Sequence, residues 1–164
     1  MEITQMIKTL RIDERLIHGQ VAVTWCSALN IERIIVANDT AAKDDITSMS
    51  LKMAAPQNVK VAVKSVQDAI SLLKDPRIER FSILLLVNNP ADALALIKEV
   101  KEIPYVNVGN FGMISDKVNR RMLATSLAVS EEELSNLRDI CNLLPDSTYQ
   151  MTPTLPPQIL KKLL

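Results

Sequence analysis

The sequence holds one histidine, His18, and three glycines, Gly19, Gly109 and Gly112. Average usage of about 7% would give roughly eleven glycines, so each one present is read as kept for a backbone reason. Aromatic residues make up 3% of the chain, too few for a base-stacking platform. Charge of one sign is absent as well, because 19 basic and 19 acidic side chains cancel. A dedicated nucleic-acid binder needs a net basic face against phosphates, so no nucleic acid is expected as a partner. No uninterrupted apolar run is longer than that of Ile83–Val87, far short of the roughly 20 residues of a membrane helix. Met1–Asp13 lacks the apolar core of a secretory signal. The two cysteines, Cys26 and Cys141, are therefore expected as reduced thiols packed like small hydrophobes. Together with a single histidine they do not make a usual zinc site. Neither a metal nor a cofactor is expected.

What remains is an ordinary globular composition, 164 residues with 48% apolar and 23% charged. That length fits one domain, 1–164, able to bury a core without disulfides. Extended and helical patterns alternate along it. Ile7–Ile12, Arg33–Ala37, Val59–Val63, Phe81–Val87, Tyr105–Val108, Met122–Val129 and Thr148–Met151 read as strands. Helices are expected from about Ile17 to Leu29, with Asn30 as the stop, and from Asp44 to Ala54, with Pro56 as the stop. In the second of these, Ile46, Met49, Met53 and Ala54 are the apolar positions at helical spacing, and the Met49/Met53 stripe is expected to face the core. Further helices open at Ser65, at Asn89-Pro90 and at the Ser130–Glu133 capping box. Pro157 is expected to start a short terminal helix, Gln158–Leu163. The fold class that follows is α/β, a single-domain open and mainly parallel sheet with helices on both faces and an antiparallel strand near the C-terminus.

Such sheets place their sites outside the carboxyl ends of the strands. The rule selects Asp13–Gly19, Asn38–Asp45, Asn88–Pro90 and Gly109–Gly112, which together contain every glycine and the only histidine. His18 would lie at the start of a helix, where free backbone N–H groups and the dipole favour an anion. The same dipole disfavours imidazolium by roughly 0.3–1 kcal/mol, which favours a neutral, nucleophilic ring. Arg11 and Arg15 can supply planar forks for phosphate oxygens. Asp13 can hold the second ring nitrogen and fix the tautomer. Gly19 permits close approach of backbone to a ligand. These parts suit a histidine that takes up and hands on a phosphoryl group. A lone histidine is, however, more often a packed or solvated residue, and Arg-Asp-Glu-Arg runs are usually surface ion-pair clusters.

The run Arg11–Val21, RIDERLIHGQV, resembles the signature of the IIB components of the bacterial phosphoenolpyruvate-dependent sugar phosphotransferase system, of the mannose/fructose/sorbose type. Weaker likeness continues through Trp25, Arg33–Val36 with Asn38-Asp39, Met53–Pro56, Asn88–Pro90, Val106–Gly109 and Ala128–Ser130, covering essentially the whole chain. The resemblance implies that His18 is phosphorylated, on the ring nitrogen nearer the backbone, by a phosphohistidine of a IIA protein or domain. The group would pass to a hexose brought by the membrane components IIC and IID. It implies Arg15 as the phosphate-contacting arginine and Asp13 as the active-loop acid; the reading of the residues adds Arg11 and Gly19 as phosphate-binding, Gln20 as supporting, and Asn38, Asp39, Asn89 and Gly109 as the site rim. A phosphotransferase at the cytoplasmic face of the membrane follows, peripherally associated, and a homo-oligomer is compatible with it. The run Gly109–Met113 departs from the Gly-Gly-Met that is frequent in the family, and Met151–Gln158, with Pro153, Pro156 and Pro157, is atypical. Met1–Gln5 is expected as a frayed start.

Rival readings find less support. There is no Walker sequence, no G-x-G-x-x-G and no G-x-S-x-G nucleophile elbow. A regulatory phosphoacceptor module would need an aspartate at the end of the third strand, where Val63-Lys64-Ser65 stands. A structural or regulatory α/β binding module with a non-catalytic histidine loop remains the alternative.

Overall fold

Short β-branched and leucine-rich runs bounded by Asn, Asp and Pro form the strands, and capped amphipathic runs form the helices between them. The computed structural model describes residues 6–114 and 119–164; the expectation for Met1–Gln5 lies outside them. In order come β1 (Ile7–Ile12), α1 (Gly19–Leu29), β2 (Arg33–Ala37), α2 (Asp39–Lys43), α3 (Asp45–Ala54), β3 (Lys60–Lys64) and α4 (Val66–Leu73). They are followed by β4 (Ile83–Val87), α5 (Pro90–Glu99), β5 (Val106–Val108), β6 (Arg121–Ala124), β7 (Leu127–Val129), α6 (Glu131–Leu143), β8 (Thr148–Tyr149) and β9 (Gln158–Ile159).

Seven strands form one sheet in the order β3-β2-β4-β1-β5-β8-β9, all neighbours parallel except β8 and β9. The mainly parallel sheet with an antiparallel strand near the C-terminus is as expected. Alternation along each strand supplies two core layers. In β4, Ile83, Leu85 and Val87 meet Ala69, Leu96 and Leu137 of α4, α5 and α6. Leu84 and Leu86 face the other way, against Trp25 and Cys26 of α1 and Leu51 of α3. A strand buried on both faces must be apolar at every position, which is why Ile83–Val87 reads as an unbroken run.

The chain leaves β1 for β2 by passing β4, and leaves β4 for β5 by passing β1. Right-handed crossovers in opposite directions put α1 and α5 on opposite faces. The loops after β1 and β4 therefore diverge and leave a crevice at the carboxyl ends of these two strands.

Four expectations need correction. Met122–Val129 is not one strand but an antiparallel pair, β6 and β7, outside the main sheet. Thr125-Ser126 turns the chain between them, and a bridge from Phe111 to Leu127 docks the pair. The strand expected over Thr148–Met151 stops at Tyr149. Gln158-Ile159 pairs antiparallel with it, and only Leu160–Leu163 is helical, as a 3-10 turn. The stripe of α3 points outward, with Ile46, Met49 and Met53 at 79%, 63% and 79% exposure. Of the expected positions Ala54 packs inward, together with Leu51 and Ala55. Two apolar faces compete on this helix, and the smaller one permits closer approach to the sheet.

Cys26 and Cys141 are buried and unpaired. Burial pushes the Cys26 thiol up from 9.0 to about 11 and raises Cys141 as well. A thiol raised in this way adds stability that is complete below pH 9 and is lost as pH rises through about 11. Ellman's reagent at pH 8 should find almost no reactive thiol in the native protein and both after denaturation. Urea unfolding should show Leu85→Ala losing about 2–5 kcal/mol and Met49→Ser changing stability by less than about 0.5 kcal/mol. A large loss in the second variant would return the α3 stripe to the core.

Candidate active site

The loop that follows β1 is tied down on both sides. Asp13 N–H donates to the carbonyl of Val87 at the end of β4 (3.0 Å), and Glu14 N–H donates to that of Asn110 beyond β5 (2.8 Å). Leu16 N–H closes a turn onto the Asp13 carbonyl at 2.9 Å. Leu16 takes a left-handed φ of 59°, a conformation that costs about 1–2 kcal/mol for a residue with a Cβ. Burial of the Leu16 and Ile17 side chains against Trp25 and Leu86 holds it there. The chain then enters α1 through His18, whose extended backbone makes it the N-cap.

His18 makes no capping hydrogen bond with its side chain. Its ring instead meets Asp13, with Nε2 3.2 Å from each carboxylate oxygen. Asp13 is 1% exposed while His18 is 28% exposed. Nε2 is therefore the ring nitrogen turned to Asp13, and an ionised carboxylate can only accept a hydrogen bond from it. Asp13 is itself fixed by Arg15 N–H (3.1 Å) and by Arg11 Nη2 (3.5 Å). The Nε2 side of the ring is thus held from below, by a carboxylate that is itself held.

Arg11 departs from expectation. Leu10 and Ile12 point to the α4–α6 side, so Arg11 points to the α1 side, where it is 2% exposed. Its guanidinium stacks on Trp25, 4.8 Å from the ring centroid. Nη1 donates to Asn107 Oδ1 and to the Gln150 carbonyl (2.9 Å), and Nη2 to the Met151 carbonyl (3.0 Å). Trp25 Nε1 donates to the same Met151 carbonyl, and Asn107 Nδ2 to Thr148 Oγ1. Burial lowers the Arg11 pKa to about 10, with Asp13 opposing the shift, so it stays a cation at neutral pH. It is a strut under the loop, not a clamp at its mouth. Gly109 is corrected in the same way: a Cβ there would run into Arg11 Nη2 and lie 2.7 Å from Cζ. It makes room for the strut and does not form a rim.

Arg15 is exposed, and its guanidinium has no hydrogen-bond or ion-pair partner among the described residues. Gly19 has a φ of 42° and open space where a side chain would stand. Gln20 is exposed in the first turn of α1, a turn without acidic residues. The helix start of α1 thus carries first-turn N–H groups with no acidic side chain beside them, with the exposed Arg15 three residues before His18 in the same loop, features suited to an anion.

The outer candidates have structural duties. Asn38 caps α2 by accepting from Ala41 N–H, and Asn89 caps α5 by accepting from Asp92 N–H, both at 2.8 Å. Asp39 accepts from Val66 N–H at the start of α4 (2.9 Å). These residues stand at the carboxyl ends of β2 and β4, and their side chains bind the helices that begin there.

Four contributors were not singled out from sequence as parts of the site. Glu14 Oε2 accepts from the N–H groups of Met113 and Ile114, each at 3.0 Å, and so anchors the loop after β5. Asn107 and the carbonyls of Gln150 and Met151 complete the Arg11 socket. A polar Asn107 between two buried valines was the available signal. The carbonyls left none, since every residue has one.

The family model for the PTS system sorbose subfamily IIB component matches residues 7–144, which stops short of the atypical 151–158 segment. A probable phosphotransferase enzyme IIB component of Streptococcus pyogenes is 43% identical over 140 residues, covering 84% of this chain and 86% of that protein. The mannose-specific EIIAB component of Escherichia coli is 32% identical over 135 residues, 82% of this chain and 41% of the relative. The crystal structure of the IIBSor domain of the sorbose permease from Klebsiella pneumoniae superposes with a TM-score of 0.88 at 26% identity. It covers 96% of this chain and 94% of that one.

Gly109→Ala should destabilise by about 1–3 kcal/mol through overpacking against Arg11. Gly19→Ala should cost only the backbone term of about 1 kcal/mol. Urea denaturation of both variants checks the difference, and equal losses would remove the strut role from Arg11.

Proposed function

The chain belongs to the sorbose subfamily of the phosphotransferase-system IIB components, and from that premise we propose that Nδ1 of His18 is the atom that carries the phosphoryl group. The observation that supports this most directly is the Asp13 carboxylate on Nε2, 3.2 Å away through either oxygen, which leaves Nδ1 as the nucleophile. In the first transfer the Nδ1 lone pair attacks phosphorus on a phosphohistidine of a IIA protein or domain. The donor's P–N bond breaks as the new one forms, and its electron pair returns to the donor ring. Positive charge develops on the His18 ring and is offset by Asp13. Arg15 and the first N–H groups of α1 receive the phosphoryl oxygens.

In the second transfer a sugar hydroxyl attacks the same phosphorus, the P–N bond breaks, and Nδ1 recovers its lone pair while the hydroxyl proton leaves to solvent. The acceptor is a hexose held by the membrane components IIC and IID, and the protein works at the cytoplasmic face of the membrane. No helix among the described residues is long and apolar enough to cross a bilayer, so membrane contact runs through those partners. Arg11, Asn107 and Gly109 act on this chemistry by holding Asp13, without touching the phosphoryl group.

Incubation with phosphorylated IIA should give an acid-labile, base-stable label, with long-range ¹⁵N–¹H correlation placing it on Nδ1. His18→Ala should not label. Arg15→Lys should fold normally and accept phosphate about 10²-fold more slowly, because an ammonium lacks the bidentate fork. A His18→Ala chain that labels as well as wild type would overturn the assignment to His18, and a wild-type chain that takes no label would favour the non-catalytic binding module instead.

A further inference from the structure

A second concavity lies at the far end of the sheet from His18, where β2 and β3 begin. The segment 72–81, leading from α4 into β4, closes it around a volume of about 450 Å³, within the range of small-molecule sites. Its origin is a size change on the edge strand. Val61 and Val63 pack on the α1 and α3 side, so alternation turns Ala62 to the other face, next to Ile35 of β2. A methyl group there leaves the floor uncovered, and Leu72, Ile78 and Phe81 form apolar walls.

The rim is cationic. Arg33, Lys60, Arg77 and Arg80 line the pocket against one acid, Asp75. Arg77 Nη2 binds Asp75 at 2.6 Å, with Arg77 Nε at 3.1 Å from both carboxylate oxygens, so those two charges cancel locally. Arg33 and Arg80 lie over the Phe81 ring instead, 4.1 and 4.7 Å from its centroid. Among the described residues neither they nor Lys60 forms an ion pair with a carboxylate. Three uncompensated cations beside an apolar cleft are complementary to a ligand with a charged head and an apolar body.

We propose that this pocket binds a small organic anion, a carboxylate on an alkyl or aryl group, with its acid against Arg33, Lys60 and Arg80 and its body along Ala62, Ile78 and Phe81. This site is separate from the phosphoryl chemistry and at the opposite ends of the strands. A bilayer is the poorer occupant, because a chain held to a membrane here would turn the His18 end away from it.

Decanoate titrated into the full-length ¹⁵N-labelled protein tests the assignment, with decanol and anionic phosphatidylglycerol vesicles as parallel arms. Decanoate should give saturable shifts confined to residues 33–35, 60–62 and 72–81, and decanol should bind at least about tenfold more weakly. Lys60→Glu and Arg80→Glu, both on exposed side chains, should weaken decanoate by a similar factor, and Ala62→Trp should abolish the shifts by filling the cleft. Equal binding of decanol, indifference to both charge reversals, shifts located elsewhere, or binding to vesicles alone would overturn the proposal.

Discussion

A guanidinium taken out of water must find a partner for its N–H groups and its charge, and that requirement on Arg11 organises the end of the molecule that carries His18. Trp25 supplies a π face, Asn107 and two carbonyls of the C-terminal segment supply acceptors, and Asp13 supplies the counter-charge. Removing one partner of such a buried arrangement leaves an uncompensated charge, a loss on the order of 3–5 kcal/mol. The socket therefore fixes Asp13, and Asp13 fixes the imidazole. Segments distant in sequence, β1, α1, β5 and residues 150–151, are brought together through one side chain. The histidine is 28% exposed, so its orientation comes from a carboxylate that is 1% exposed.

Topology decides where that arrangement can stand. Helices α1 and α5 leave the adjacent strands β1 and β4 for opposite faces, and the loops between them part. Backbone bonds from Asp13 to Val87 and from Glu14 to Asn110 hold the parted loop against its neighbours. The rim residues Asn38, Asp39 and Asn89 cap helices around the crevice. In this way the scaffold leaves His18 partly exposed at the helix start of α1.

The two ends of the sheet differ in kind. At the carboxyl ends polar groups converge, with His18 on the buried Asp13 and Asp13 on Arg11. At the amino ends an apolar cleft is surrounded by arginine and lysine, with two of the arginines laid on Phe81. The family resemblance speaks to the first end, and only the shape and charge of the second speak for it.

The eleven residues from Arg11 to Val21 carried the family by their resemblance to its signature, while their physical reading singled out the loop and its histidine by position at a strand end beside a rare glycine. Strand and helix alternation, the capping residues Ser65, Asn89 and Ser130 and the unbroken apolar run of β4 likewise stood in the sequence, since local geometry and burial on two faces leave periodic traces. What the sequence could not state was direction. It gave no sign that Arg11 turns inward while Arg15 stays exposed, that α3 buries Leu51 and leaves Met49 in solvent, or that Gly109 is small for the sake of Arg11. Each depends on which neighbour lies across a gap of tens of residues, and periodicity along a chain carries no information about that neighbour. Local interactions fixed the elements and the motif; the packing of remote segments decided which arginine became a buried strut, which stayed exposed, and which nitrogen of His18 meets Asp13.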